Sequence, residues 1–229
     1  MLADYLERGA AAGVVGGIAY GGYVALVGTP MITHAESFES GSHAAASSVS
    51  DAAISIGASV LWGLLLGAAI FGLAWFLLEP RLPGRADTQA FLLAGAGFMT
   101  ISGAPWLVLP PQPPGIESAL STTVRLGLYG IMVLAGALAC IAGVWLYNRL
   151  EAWNRAIRAL AGIAPLGLLL VAPVLAPANT STGPAPDSLV AAFRWMTVFG
   201  QVFLWGVMAA AAAWIERRLQ IDAAPSQRP

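Results

Sequence analysis

The two histidines of this 229-residue chain sit close together, in the stretch Ile32-Thr-His34-Ala-Glu36-Ser-Phe-Glu39-Ser-Gly-Ser-His43. No positive charge interrupts it. Imidazole nitrogens beside carboxylate oxygens suit borderline divalent ions such as cobalt, nickel or zinc, and they discriminate weakly among them. If the stretch is helical, Glu36, Glu39 and His43 share a face at i, i+3 and i+7, and His34 lies near the entry of the preceding apolar block. The spacing matches no tight zinc motif such as HExxH. The same residues therefore also describe a solvated acidic loop rich in Ser and Ala.

Other chemistries are weakened by what the chain lacks. It contains no lysine, which excludes a retinal Schiff base, a pyridoxal phosphate linkage and a phosphate-loop lysine. Cys140 is the single cysteine, so neither an internal disulfide nor a cysteine-rich metal site can form, and its position inside an apolar block suits a small packing residue. No resident cofactor is expected. Two histidines in one loop, with no acid inside the apolar blocks, leave little from which to build an enzyme site.

A second distinctive stretch is Pro105-Trp106-Leu-Val-Leu-Pro110-Pro111-Gln112-Pro113-Pro114-Gly115. Pro105 removes a backbone donor and bends its helix near Ser102 and Gly103, which exposes polar backbone. The prolines that follow fix φ and force a stiff extended segment. Trp106, Pro110, Pro111, Pro113 and Pro114 thus read as a strap at the mouth of an apolar block, shaped to act as a lid or docking edge.

What must position these residues is a set of membrane helices. Hydrophobic residues make up 58% of the chain and charged residues 10%, against roughly 25% charged in soluble domains. The apolar residues fall in blocks of about 20, the length that crosses ~30 Å of hydrocarbon as a helix. Residues 10–31, 58–78, 90–109, 126–146, 159–175 and 195–214 form six such blocks, and residues 215–229 a short cytoplasmic tail. The fold class is an all-α integral membrane protein, a single polytopic domain over residues 1–229, with five spans as the competing count if the proline-bearing fifth block is re-entrant. The first block is longer than a signal-peptide core and is read as a retained span.

Orientation follows from arginine. With both termini cytoplasmic, Arg8, Arg81, Arg85, Arg149, Arg155, Arg158, Arg217, Arg218 and Arg228 fall inside, and only Arg125 and Arg194 outside, at the outer interface. Adding or dropping one span would scramble that asymmetry. Gly9, Gly13, Gly17 and Gly21 recur every fourth residue of the first span, and Gly63 and Gly67 repeat the device in the second. Such rows let backbones approach closely, within the subunit or in an oligomer, and a glycine-lined first span also offers a close-packed route for a solute.

The Pro-Trp-Leu-Val-Leu-Pro-Pro-Gln-Pro-Pro-Gly stretch, followed by a span opening Thr-Thr-Val-Arg-Leu-Gly-Leu-Tyr, resembles the CbtA family of cobalt transporter subunits. The glycine-rich first span, the His and Glu loop and Trp62-Gly63-Leu-Leu-Leu-Gly67 are similar to it as well, so that the likeness covers roughly residues 5–150. It implies a membrane subunit for cobalt entry, working beside a small single-span CbtB partner that carries histidines. The family is described with five spans and a histidine-rich loop, from both of which this chain departs. On this reading His34, Glu36, Glu39 and His43 collect a hydrated cobalt ion and the strap shapes the entry. The partners are the lipid bilayer and membrane subunits, with no nucleic acid, and the setting is a prokaryotic cell membrane. The competing reading is a scaffolding subunit of a larger assembly, with no transport path of its own.

Overall fold

The structure, a computed structural model, describes residues 1–40 and 49–223. Six of its helices are long and apolar enough to cross a membrane: α1 (Leu2–Phe38), α2 (Ala53–Arg81), α3 (Ala86–Val108), α4 (Thr122–Arg149), α5 (Arg155–Leu175) and α6 (Asp187–Leu219). The protein is an all-α multi-pass membrane protein. A two-residue antiparallel ladder, β1 (Glu117–Ser118) with β2 (Ser181–Thr182), is the regular strand structure among the described residues.

Helix ends follow local chemistry and not the edges of the apolar blocks. Ser121 caps α4 by accepting the Val124 N–H, and Asn154 caps α5 by accepting the Ile157 N–H at 3.0 Å. Gly84, at φ 93°, supplies the left-handed turn between α2 and α3 that a side chain would resist. Each helix consequently runs beyond its block. The first outer loop, expected from Ile32, is instead helical through Ser40, because nothing after Pro30 breaks the helix. Likewise α6 begins at Asp187, just after Pro186, so that Arg194 lies about two turns inside the helix and does not flank it. The expected tail from residue 215 is helical as far as Ala223.

Three wide π segments interrupt these helices, at Val24–Gly28, Gly67–Ala74 and Met99–Gly103. Two end two residues before a proline, Pro30 and Pro105. A proline ring clashes with the carbonyl four residues earlier, and widening the preceding turn relieves that clash. The segment Gly67–Ala74 has no proline. It carries Gly67 and Gly72, against which Gly9 of α1 presses.

The chain divides into two compact units. The first takes residues 1–25, 49–95 and 200 onward. Its core is Phe71, Trp75, Leu204, Trp205 and Met208, with the Phe71 and Trp205 rings 6.4 Å apart, while Gly16 gives Met208 and Leu204 room against α1. The second unit takes residues 26–48 and 96–199 and is built around Ala104, Val108, Met132, Ala139 and Leu169. Here α5 is broken at Pro165 and tightens to a 3-10 turn at Leu169–Val171. It nevertheless starts with Arg158 against Tyr147 near the end of α4, places Leu169 in the Val108 and Met132 cluster, and reaches Ala176 beside the same cluster. It thus runs alongside α4 for most of its length.

Candidate functional site

Pro105 is the root of the strap's geometry. It is fully buried and has no N–H for the carbonyl of Ile101, four residues back. That carbonyl lies within the π segment and accepts a hydrogen bond from the Tyr129 hydroxyl of α4 at 3.0 Å. A backbone acceptor released in a low-dielectric span is thus satisfied from the neighbouring helix, as hydrocarbon demands. Ile101 lies one turn before the proline run, and Tyr129 in the opening of the fourth span. Sequence reasoning found the kink and missed Tyr129. Only the register of α3 against α4 shows that the two meet.

Beyond the kink, Trp106 belongs to the short helix Ala104–Val108 and packs edge-on against Phe98, with ring centroids 6.1 Å apart. It anchors the strap and is not part of its extended portion. Pro110 to Pro113 follow without helix or strand, and Pro113 is buried. The chain turns at Pro114 and at Gly115, whose φ is 75°. The strap is held at three points. Arg194 Nε donates to the Pro111 carbonyl at 3.3 Å, Glu117–Ser118 pairs with Ser181–Thr182, and Ser118 and Asn179 meet through Oγ and Oδ1 at 2.5 Å. Arg194, expected at the outer interface, holds the strap with its side chain. The connection between α3 and α4 is thereby stitched to that between α5 and α6.

The first part of the histidine and glutamate stretch is helical. His34 is exposed, with its ring edge-on to Phe38 at 5.2 Å and its carbonyl accepting from Ser37 Oγ at 2.7 Å. Glu36 is two residues on, and positions i and i+2 do not face each other on a helix. Glu36 and Glu39 stand three apart on α-helical backbone. His43 lies outside the described residues. Among the described residues, no three His, Cys, Asp or Glu side chains come together as a metal site.

The glycine row is closed by the protein itself. A Cβ on Gly9 would lie 2.4 Å from the Gly67 oxygen, one on Gly13 2.1 Å from the Gly63 oxygen, one on Gly17 2.6 Å from the Ser59 oxygen and one on Gly21 2.7 Å from the Ile56 Cα. Backbone meets backbone along the whole row. The expected solute route along these glycines is filled by α2, and the same face is not free for a second copy.

Carboxylates of the first unit are engaged near helix ends. Arg8 bonds Glu216 at 2.6 Å, Arg217 bonds Asp87 at 3.2 Å, and the Tyr5 hydroxyl donates to Glu79. The Arg217 and Asp87 pair is half exposed and contributes little, whereas Glu216 is only 16% exposed, which makes its arginine a required neutraliser. Cys140 is partly buried, with Sγ 3.9 Å from the Ala96 carbonyl, and packs between α4 and α3.

No curated protein and no solved structure matches this chain. A protein-family model does, over residues 2–217, and it is described as probable cobalt transporter subunit (CbtA). That match runs through all six spanning helices, including the kinked third span and the strap. The chain therefore belongs to the CbtA family and is a membrane subunit of the cobalt transporter class.

Proposed function

We propose that this subunit admits cobalt or a similar divalent transition metal into a prokaryotic cell, with both termini cytoplasmic. The observation that carries the reading is the family match over residues 2–217, laid on a six-span chain. The charge pattern supports the orientation. Tied down by Arg194 and the two-residue ladder, the strap is a stiff rim. A rim of that kind suits an ion entrance or the seat of a small single-span CbtB-like partner. The chain acts without catalytic chemistry and without a resident cofactor; cobalt is its cargo.

In this proposal His34, Glu36, Glu39 and His43 make a weak outer capture site. Weakness is required, since a captured ion has to leave again and since the ligands must be ordered by the ion. His34 is exposed and belongs to the helix that bears both glutamates.

The test is cobalt titration by calorimetry together with radioactive cobalt uptake into proteoliposomes, with and without a single-span partner. His34→Ala with His43→Ala should reduce both binding and uptake while the amount of folded protein stays constant. If the double variant binds and transports as wild type does, the stretch is a connector. If wild type moves no cobalt under any condition, the scaffolding reading replaces transport.

A further inference from the structure

We infer that the turn between α4 and α5 is a binding site for an anionic glycerophospholipid, with Arg149, Arg155 and Arg158 gathered around the headgroup phosphate. The turn is short. α4 ends at Arg149, and α5 begins at Arg155 behind its Asn154 cap. Three arginines and one acid, Glu151, fall within residues 149–158, an excess of two positive charges (three minus one). Among the described residues, none of these arginines is in an ion pair.

The arrangement runs against the protein's own electrostatics. Arg155 and Arg158 occupy the first turn of α5, which has no acidic residue, although the partial positive charge of a helix N-terminus favours anions there. Arg158 is not free to turn away. Its Nε donates to the Tyr147 carbonyl at 3.1 Å and its guanidinium lies 4.3 Å from the centre of the Tyr147 ring. Those contacts hold its planar fork on the α4 surface and leave its two terminal nitrogens for a ligand. Arg155 precedes it by three residues, so the two share a helix face. Arg149 and Arg155 are both exposed.

Depth identifies the occupant. Trp145, one turn before the end of α4, and Trp153, within the turn, are 61% and 58% exposed, as tryptophans are when they sit at the headgroup level of a bilayer. Below them, α4 and α5 present Leu138, Ile141, Leu160 and Ile163 outward, a surface for acyl chains. Guanidinium forks take phosphate oxygens in pairs. An anionic phospholipid matches all three features, with a phosphate for the arginines, a headgroup region for the tryptophans and tails for the apolar faces.

The full chain is purified in detergent, stripped of lipid and assayed by thermal unfolding and by native mass spectrometry with added phosphatidylglycerol, phosphatidylcholine or inorganic phosphate. Wild type should be stabilised more by phosphatidylglycerol than by phosphatidylcholine, and should retain it at least fivefold better. Arg149→Gln with Arg155→Gln, which leaves the Arg158 and Tyr147 contact intact, should abolish the preference without changing stability in phosphatidylcholine. Arg149→Lys with Arg155→Lys should preserve most of it. An unchanged preference in the glutamine variant would overturn the proposal. So would an equal effect of inorganic phosphate, which would mark a site for free anions. Loss of the preference in both double variants, with stability in phosphatidylcholine also lost, would mark the arginines as structural and overturn it too.

Discussion

Gly13→Ala adds one methyl group to a 229-residue protein and should be among its most damaging small substitutions. The new Cβ would stand 2.1 Å from the Gly63 oxygen, 2.8 Å from the Gly63 carbonyl carbon and 3.0 Å from the Gly67 Cα. Carbon and carbonyl oxygen in close helix contacts keep about 3.3 Å, so the backbones must part by about an ångström. The obstructing atoms are backbone, and no rotamer change removes them. A gap of that size forfeits roughly a quarter to a half of the dispersion energy of each facing pair, at ~0.1–0.2 kcal/mol per pair. Over a row in which Gly9, Gly13 and Gly17 all touch α2, the loss comes to about 1–3 kcal/mol, the usual range for overpacking. The assay is thermal unfolding in detergent followed by size-exclusion chromatography, with an expected fall in Tm of roughly 2–10 °C. Gly206→Ala is the control, since a Cβ there meets nothing within 4 Å and helix propensity favours alanine by up to about 1 kcal/mol. A Gly13→Ala protein that melts with wild type, or a Gly206→Ala protein that falls equally, would refute the reasoning.

Two further outcomes are expected. Tyr129→Phe leaves the Ile101 carbonyl without its donor and should cost about 1–2 kcal/mol in thermal unfolding. In a Pro105→Ala background the restored amide can reach that carbonyl, so the same substitution should cost markedly less; equal costs in the two backgrounds would separate the tyrosine from the proline. In a Cys140→Ala background, a cysteine at Thr182 should react with an impermeant reagent from outside intact cells, while cysteines at Ala86 and Ala223 react only after permeabilisation. Labelling at Ala223 but not at Thr182 would support five spans over six, and labelling at Ala86 as well would reverse the orientation.

The residue order alone determined the class of this molecule, because hydrocarbon allows few solutions. Blocks of about 20 apolar residues must become helices that satisfy their own backbones, and arginine sorts the loops between them. The period of four in Gly9, Gly13, Gly17 and Gly21 likewise marks one helix face without reference to any neighbour. The family resemblance was legible for the same reason, since the proline run and the glycine row are contiguous stretches of chain.

Only the tertiary structure decided what those features meet. The glycine face is covered by α2 because its partner glycines, Gly63 and Gly67, arrive in matching register, and nothing local to α1 specifies that. Helix lengths escaped the apolar blocks because caps and prolines set helix ends whereas hydrophobicity sets only the stretch within hydrocarbon. This carried α1 to Ser40 and enclosed Arg194 within α6. The strap's restraints join residues 83 apart for Arg194 and Pro111 and 61 apart for Ser118 and Asn179. The acceptor freed by Pro105 finds its donor 28 residues away. Hydrogen bonds between distant residues depend on how helices pack side by side, and a linear pattern of polarity carries no record of which faces will be neighbours.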